Sequence, residues 1–241
     1  MLLPDNLNAR IFDAVCTFWD TRTQQFNRQQ DSVIHDQGNR SAVTGGKQLD
    51  GFVNLTYEIL VHNGVPEDSI FIDSYLELPG FYRPSKKWDL LIVHQGILIA
   101  AIEFKSQVGP SFGNNFNNRT EEAMGSALDI WTAYREGAFG HQEAPWLGYF
   151  MVLEDCDKSN TPVRISSPHF DVFPEFERSS YKDRYEIFCN KLVLERQYSS
   201  ACFITTGLDA TYVPFFDCPA EYLSYHRFIV SLLSNVIARI N

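Results

Sequence analysis

Cysteine is scarce in this sequence, and no two cysteines are closely spaced. The 241 residues contain five of them, Cys16, Cys156, Cys189, Cys202 and Cys218. Zinc sites use closely spaced pairs of ligands, and disulfide frameworks use an even number of cysteines at compact spacing. The pattern fits neither, and we expect reduced, mostly buried thiols in a cytoplasmic protein.

Long apolar runs are also lacking. No stretch approaches the roughly 20 apolar residues that are needed to span a bilayer. The first ten residues, MLLPDNLNAR, do not place a basic segment before an apolar one, as a secretory signal would. These absences favour a soluble, cytoplasmic protein with no membrane contact.

Positive charge is in short supply: 20 lysines and arginines stand against 30 acidic residues, which gives a formal net charge of −10. Indiscriminate binding to nucleic acid requires clustered basic residues that displace counterions from the phosphates. The balance therefore argues against a histone-like DNA binder. It is compatible with a nuclease, because a local basic cleft can coexist with acidic surface elsewhere.

Repeats, low-complexity segments and linker-like stretches are absent, so we expect a single domain over residues 1–241. Apolar spacing predicts helices at 7–27, 50–62, 181–196 and 220–240, and another from Arg119, where Asn118 and Glu121 resemble a capping box. Short β-rich runs predict strands at 69–75, 88–94, 97–104, 146–153 and 201–206. Residues 31–46 are polar and predict a long loop. Helices flanking a mixed central sheet correspond to an α/β (α+β) fold.

The second and third of these strands form a predicted hairpin that carries the charged residues Asp89, Glu103 and Lys105. Glu103 and Lys105 are two apart in a strand, so both side chains project from one face. A three-residue loop at 94–96 would bring Asp89 onto that face, opposite Ala101. A two-residue loop would place Asp89 opposite Ile102 and on the other face unless a bulge intervenes.

This group of side chains suits metal-assisted hydrolysis of a phosphodiester. Asp89, Glu103 and the carbonyl of Phe104 supply hard oxygen ligands for Mg²⁺, and Lys105 would position water or stabilise the transition state. Glu58 could add a carboxylate from its helix, or be a solvated helical residue. The alternative reading of Glu103 and Lys105 is a charged strand end, because a bare E-x-K pattern occurs often by chance.

The segment around the hairpin resembles the XhoI-type type II restriction endonucleases of the PD-(D/E)xK nuclease superfamily. The resemblance rests on SFGNNFNNRTEEA and DIWTAYREGAF, which follow the E-x-K strand. The chain departs from the superfamily motif at Trp88, where proline usually precedes the aspartate. The resemblance implies a restriction endonuclease-like core and a homodimer that cuts double-stranded DNA at a short palindrome, the CTCGAG hexamer. It also implies a companion DNA methyltransferase that protects the same site.

Two stretches carry side chains suited to reading base edges. The first lies within residues 37–48 and includes Arg40, Lys47 and Gln48; the second comprises Asn114, Asn115, Asn117, Asn118 and Arg119. Lys86 and Lys87 form, with Arg83, the densest basic cluster and could contact phosphates. The alternative is that such turns cap their own backbone and that the basic cluster is a solvated strand entrance.

Two other functions remain compatible with these residues. One is a structure-directed repair or recombination nuclease, which would use the same chemistry on branched DNA. The other is a non-catalytic DNA-binding module on a nuclease fold, although the joint presence of Asp89, Glu103 and Lys105 argues against that reading.

Overall fold

The computed structural model of the protein describes residues 3–32 and 47–240. Its helices, in chain order, are α1 (Leu7–Ser32), α2 (Asp50–His62), α3 (Phe112–Arg135), α4 (Asp157–Asn160), α5 (Tyr181–Leu194) and α6 (Tyr225–Ile240). Its strands are β1 (Ile70–Phe71), β2 (Glu77–Pro79), β3 (Ser85–Lys87), β4 (Leu90–His94), β5 (Ile97–Gln107), β6 (Trp146–Glu154), β7 (Ser200–Leu208) and β8 (Pro214–Asp217). Most of the predicted loop at 31–46, including Arg40, lies outside the described residues.

A mixed six-stranded sheet forms the centre of the fold, in the order β1-β4-β5-β6-β7-β8. The three middle strands β5, β6 and β7 run parallel, and the pairs at both edges are antiparallel. The middle strands are almost continuously buried, as expected where helices cover both faces of a parallel sheet. The predicted class, a mixed sheet flanked by helices, is confirmed.

Each face of the sheet has its own apolar core. On one face, α1, α2 and α6 pack around Phe104 and Phe150, whose ring centroids lie 4.9 Å apart. On the other face, α3 and α5 cover Tyr149, Met151 and Phe203. Successive residues of a strand point to opposite faces. Glu103 therefore points toward the α3 side, while its neighbour Phe104 packs into the opposite core.

Helix α3 begins at Phe112, seven residues before the predicted start at Arg119, so the predicted start is wrong and residues 114–118 are helical. Asparagine and glycine have poor helix propensity, but tertiary packing outweighs it here. Phe112 stacks on Tyr181 at 5.8 Å, and Phe116 meets Tyr185 at 5.0 Å. Phe112 and Phe116, which are four residues apart on one helical face, thus extend the helix toward its N-terminus. The predicted capping box at Asn118 and Glu121 therefore lies inside α3.

The other predicted boundaries agree with the structure in part. The helix at 50–62 is confirmed at both ends. The strand predicted at 69–75 is only the two-residue β1, and the helix predicted from 220 begins at Tyr225, after a short 3₁₀ turn at Glu221–Leu223. Within the described part of the chain, no helix combines the length and the apolar composition that crossing a membrane requires.

Candidate active site

The β4–β5 hairpin has a two-residue loop, one of the two alternatives that the sequence left open. Gln95 and Gly96 both adopt positive φ, 49° and 79°, as a tight hairpin turn of the I′ type requires. A bulge between Ile92 and Val93 then leaves one extra residue on β5 and shifts the register by one. Leu90 consequently pairs with Ile102. The bulge is what brings the preceding Asp89 next to the Glu103 segment.

Asp89 is tied to the edge of β5 by two hydrogen bonds. Its backbone N–H donates to the carbonyl of Ile102 (3.2 Å), and its carboxylate accepts from the N–H of Phe104 (2.7 Å). The N–H and C=O of one residue in an extended strand point to the same edge. The Phe104 carbonyl therefore faces the edge where the Asp89 carboxylate lies.

Glu103 is the most enclosed charge of the site, with 2% of its side chain exposed. Its Oε1 accepts from two ammonium groups, Lys105 Nζ at 2.9 Å and Lys86 Nζ at 3.0 Å. Its Oε2 accepts from the hydroxyl of Tyr198 at 3.2 Å, and this hydroxyl shares its proton with the carbonyl of Ala123 at 3.1 Å. Burial and the Glu103 charge raise the pKa of Tyr198, so this hydroxyl keeps its proton and acts as the donor.

The two carboxylates differ in protonation behaviour because their surroundings differ. Burial raises the pKa of Glu103, but Lys105 and Lys86 outweigh that effect and the net pKa is lowered. For Asp89, burial is the largest effect and leaves its pKa raised, although Lys105 and the Phe104 N–H partly oppose it. Lys105 and Lys86 therefore hold Glu103 ionised, whereas at Asp89 the groups that lower the pKa do not outweigh burial.

Two clefts meet at Lys105. One, of about 440 Å³, is lined by Asp89, Phe104 and Lys105. The other, of about 760 Å³, is lined by Glu103, Lys86 and Lys105. We call them the Asp89 cleft and the Glu103 cleft. The cations that line both are Lys87, Lys105 and Arg119. The hairpin thus places a carboxylate in each cleft with shared positive charge between them.

The donor set at this junction fits Mg²⁺. Among residues 3–32 and 47–240, no three His, Cys, Asp or Glu side chains gather closely enough to hold a metal by themselves. Mg²⁺ usually retains several waters and takes only one or two carboxylates from the protein. Asp89, Glu103 and the Phe104 carbonyl offer that kind of hard oxygen set.

The structure places Glu58 away from this junction. Its carboxylate pairs with Arg10, and it lines neither cleft. Asp50, two turns earlier on α2, lines the Asp89 cleft instead. Burial raises the pKa of Asp50, Lys47 opposes the rise, and Asp73 and Asp89 add to it. The sequence indicates Asp50 as the acidic residue that begins a helix. Its spacing from Asp89 does not indicate that the two residues line the same cleft.

The predicted DNA-contacting residues that the structure describes are divided among four locations. Lys47 lines the Asp89 cleft, and Lys86 lines the Glu103 cleft. The amide of Gln48 is used inside the protein, where it bonds to Ser106 (2.5 Å) and accepts from Arg22 (3.2 Å). The asparagines are helical: Asn114, Asn117 and Asn118 are exposed on α3, and Asn115 is half-buried.

Arg119, whose guanidinium pairs with Glu122 at 2.5 Å, keeps a buried Nε without a hydrogen-bond partner. Such an orphaned donor is costly unless something else satisfies it. Arg119 also lines both clefts, so its positive charge lies where an anion would enter.

The chain is similar to known restriction enzymes over most of its length. The family model for restriction endonuclease XhoI matches residues 28–216. The type II restriction enzyme BstVI of Geobacillus stearothermophilus is 50% identical over 206 residues, which cover 83% of this chain and 92% of that enzyme. The type II restriction enzyme XhoI of Xanthomonas vasicola is 49% identical over 183 residues, which cover 75% of this chain and 73% of that enzyme. No solved structure gives a significant match.

Proposed function

Because the chain belongs to the XhoI restriction endonuclease family, we propose that it is a type II restriction enzyme that hydrolyses both strands of double-stranded DNA with Mg²⁺. The observation that carries the proposal is the junction at Lys105. There, the bulged hairpin brings the Asp89 carboxylate, the Phe104 edge and the ionised Glu103 together. A charged strand end without function would require neither the bulge nor a fully buried glutamate.

The roles of the residues follow from their positions. Asp89, Glu103 and the Phe104 carbonyl would hold Mg²⁺, which when bound supplies Lewis-acid polarisation of the phosphate and acidifies water. The Lys105 ammonium lies in the wall between the clefts, so it can orient the attacking water and offset charge that builds on the phosphate oxygens. Arg119 and Lys87 line the same wall and would bind the phosphate backbone. Asp50, rather than Glu58, would supply any further carboxylate.

Symmetry suggests how both strands are cut. A palindromic duplex has a two-fold axis, and a homodimer with the same axis presents one active site to each strand. We propose that this chain acts as such a dimer on CTCGAG, in the cytoplasm, beside a methyltransferase that protects the host copy of the site. The candidates for base contacts are Lys47 and the exposed asparagines of α3, together with Arg40 on the grounds of sequence alone, whereas the amide of Gln48 is already bonded to Ser106 and Arg22.

Digestion of a sequenced plasmid that contains a single CTCGAG site tests this function. Wild-type protein with Mg²⁺ should give one linear product, and Glu103→Gln should bind the DNA without cutting it. Glu195→Gln, an exposed glutamate after α5, is the matched control and should cut like the wild type. A random smear or selective cutting of branched DNA would refute site-specific restriction. Equal cleavage by Glu103→Gln would remove Glu103 from the mechanism.

A further inference from the structure

Two lysines, not one, hold the Glu103 carboxylate. Lys105 comes from the same strand as Glu103, but Lys86 comes from β3, in the separate two-stranded sheet. Both ammonium groups contact the same oxygen, Oε1, and the other oxygen faces Tyr198. In the free protein, each carboxylate oxygen of Glu103 therefore already has a donor.

This arrangement opposes the binding of a metal ion. A divalent cation on Oε1 would share that oxygen with two ammonium groups, and like charges at such short range repel strongly in a site shielded from water. One carboxylate between two lysines already leaves the local charge positive. Withdrawal of one of the lysines would free a lone pair on Oε1 and reduce the repulsion, which would make Glu103 a better metal ligand.

Both lysine stems are flexible, but they reach Glu103 from different elements, and we take Lys86 as the lysine that withdraws. Lys105 belongs to the same strand as Glu103, two residues further along, so its ammonium stays next to the carboxylate, whereas Lys86 reaches Glu103 from a separate sheet. Strand β3 has only three residues and pairs only with β2 among the described strands. The Lys86 side chain lies across Trp88, with Nζ 4.3 Å from the ring centroid, and lines the Glu103 cleft. Rotation of its flexible stem would move the ammonium into that cleft without breaking the sheet.

A second carboxylate keeps the β2–β3 hairpin in place when Lys86 moves. Asp129 of α3 accepts from the backbone N–H groups of Phe81 and Tyr82, both at 2.8 Å, and from Arg83 Nε at 2.7 Å. These bonds fix the turn between β2 and β3 to the body of the protein. The hairpin is therefore anchored independently of the contact between Lys86 and Glu103.

We propose that Lys86 is a positioning residue that occupies Glu103 in the free protein and transfers to a DNA phosphate when the substrate enters. The transfer releases a carboxylate oxygen for the divalent cation, so that cation binding is coupled to DNA binding. This inference rests on the proposed nuclease function. The source of the phosphate is the DNA backbone, which would enter the cleft that Lys87 and Arg119 also line. Such coupling is reciprocal: DNA tightens cation binding, and the cation tightens DNA binding.

Calorimetric titration with Ca²⁺, a hard cation that also prefers oxygen ligands, tests the proposal. Without DNA, Lys86→Met should bind Ca²⁺ about tenfold more tightly than the wild type, within the usual range of such couplings. Lys86→Arg, which keeps the charge, should bind Ca²⁺ as weakly as the wild type. Lys182→Met is the matched control, because Lys182 forms a half-buried pair with Asp155 at 3.2 Å outside both clefts.

A second set of titrations contains a CTCGAG duplex. DNA should tighten Ca²⁺ binding to the wild type and have a smaller effect on Lys86→Met. Unchanged or weaker Ca²⁺ binding by free Lys86→Met would overturn the proposal, since Lys86 would then merely support Glu103. The arm without DNA does not depend on cleavage, and digestion of the same duplex by the wild type with Mg²⁺ tests the nuclease function separately.

A spectroscopic measurement on otherwise intact protein covers the case in which Lys86→Met does not fold. Withdrawal of Lys86 removes a cation from the face of Trp88. Addition of DNA and Ca²⁺ should therefore change the tryptophan emission of the wild type by more than that of Trp88→Phe. Equal changes in the two proteins would contradict the withdrawal.

Discussion

Replacing Lys105 by methionine should separate its chemical role from its structural role. Methionine keeps the length of the apolar stem and removes the ammonium, which lies 2.9 Å from Glu103 Oε1. If Lys105 stabilises the charge that develops on the phosphate, its loss should slow cleavage by about 10²–10³-fold, the cost of one preorganised donor. The affinity for DNA should change little, because other cations line the same wall.

The stability cost of the same substitution should be modest. Removing one partner of a buried ion pair costs about 3–5 kcal/mol when it leaves an uncompensated charge. Here Lys86 Nζ remains 3.0 Å from the same oxygen, and Tyr198 still donates to the other. We therefore expect a loss of only about 1–2 kcal/mol, close to one charged hydrogen bond.

Single-turnover cleavage of a CTCGAG duplex and urea unfolding measure the two effects separately. Lys105→Met should be folded, should bind the duplex, and should cut it at least a hundredfold more slowly. Lys182→Met loses an ion pair outside the clefts and should keep the wild-type rate. A rate within tenfold of the wild type would refute the chemical role. A stability loss of about 3–5 kcal/mol would refute the compensation by Lys86.

Three further substitutions test other parts of the site. Folding raises the pKa of Asp89, so this carboxyl stabilises the fold most below its unfolded pKa, and the contribution is lost as pH rises through the folded pKa. Asp89→Asn should therefore raise the melting temperature at pH 7 while abolishing cleavage. A lower melting temperature would contradict this. Asp129→Ala leaves two backbone N–H groups without their acceptor and should cost about 3 kcal/mol, with faster amide exchange at Phe81 and Tyr82; unchanged exchange would exclude the anchoring role. Asp50→Asn should reduce Mg²⁺-dependent cleavage more than Glu58→Gln, and the reverse order in a cleavage assay would favour Glu58 as the additional ligand.

The sequence predicted the strands of the hairpin but not the geometry that makes it a site. Alternation and apolar content indicate β4 and β5, because these signals are local. The bulge between Ile92 and Val93 carries no such signal, since every residue around it is apolar and β-compatible. Whether Asp89 reaches the Phe104 edge depends on that one extra residue. The register was therefore the point that the sequence left open.

The helical conformation of the asparagine-rich segment was not predicted, for a different reason. Asn114 to Asn118 have poor intrinsic helix propensity, and a local rule assigns them to a loop. The deciding contacts are those of Phe112 and Phe116 with α5, some 65 to 75 residues further along the chain. The same limit applies to Lys86. Its neighbours in sequence reveal a basic cluster, but its contact with Glu103 arises only when the β2–β3 hairpin packs against the main sheet.

The charge of the whole chain is a poor guide to what a phosphate meets at this site. At physiological salt, charges are screened beyond about 8 Å, so most of the net −10 acts weakly on DNA in the clefts. The cations that line the two clefts are Lys47, Arg83, Lys86, Lys87, Lys105 and Arg119, and they alternate with the carboxylates of Asp50, Asp73, Asp89, Glu103, Glu121, Glu122 and Asp129. The carboxylates that a metal requires would repel the phosphate that it must reach. In the proposed exchange, Lys86 moves from the Glu103 carboxylate to a DNA phosphate, and a divalent cation takes its place beside Glu103. Neither the carboxylate nor the phosphate is then left without a positive partner.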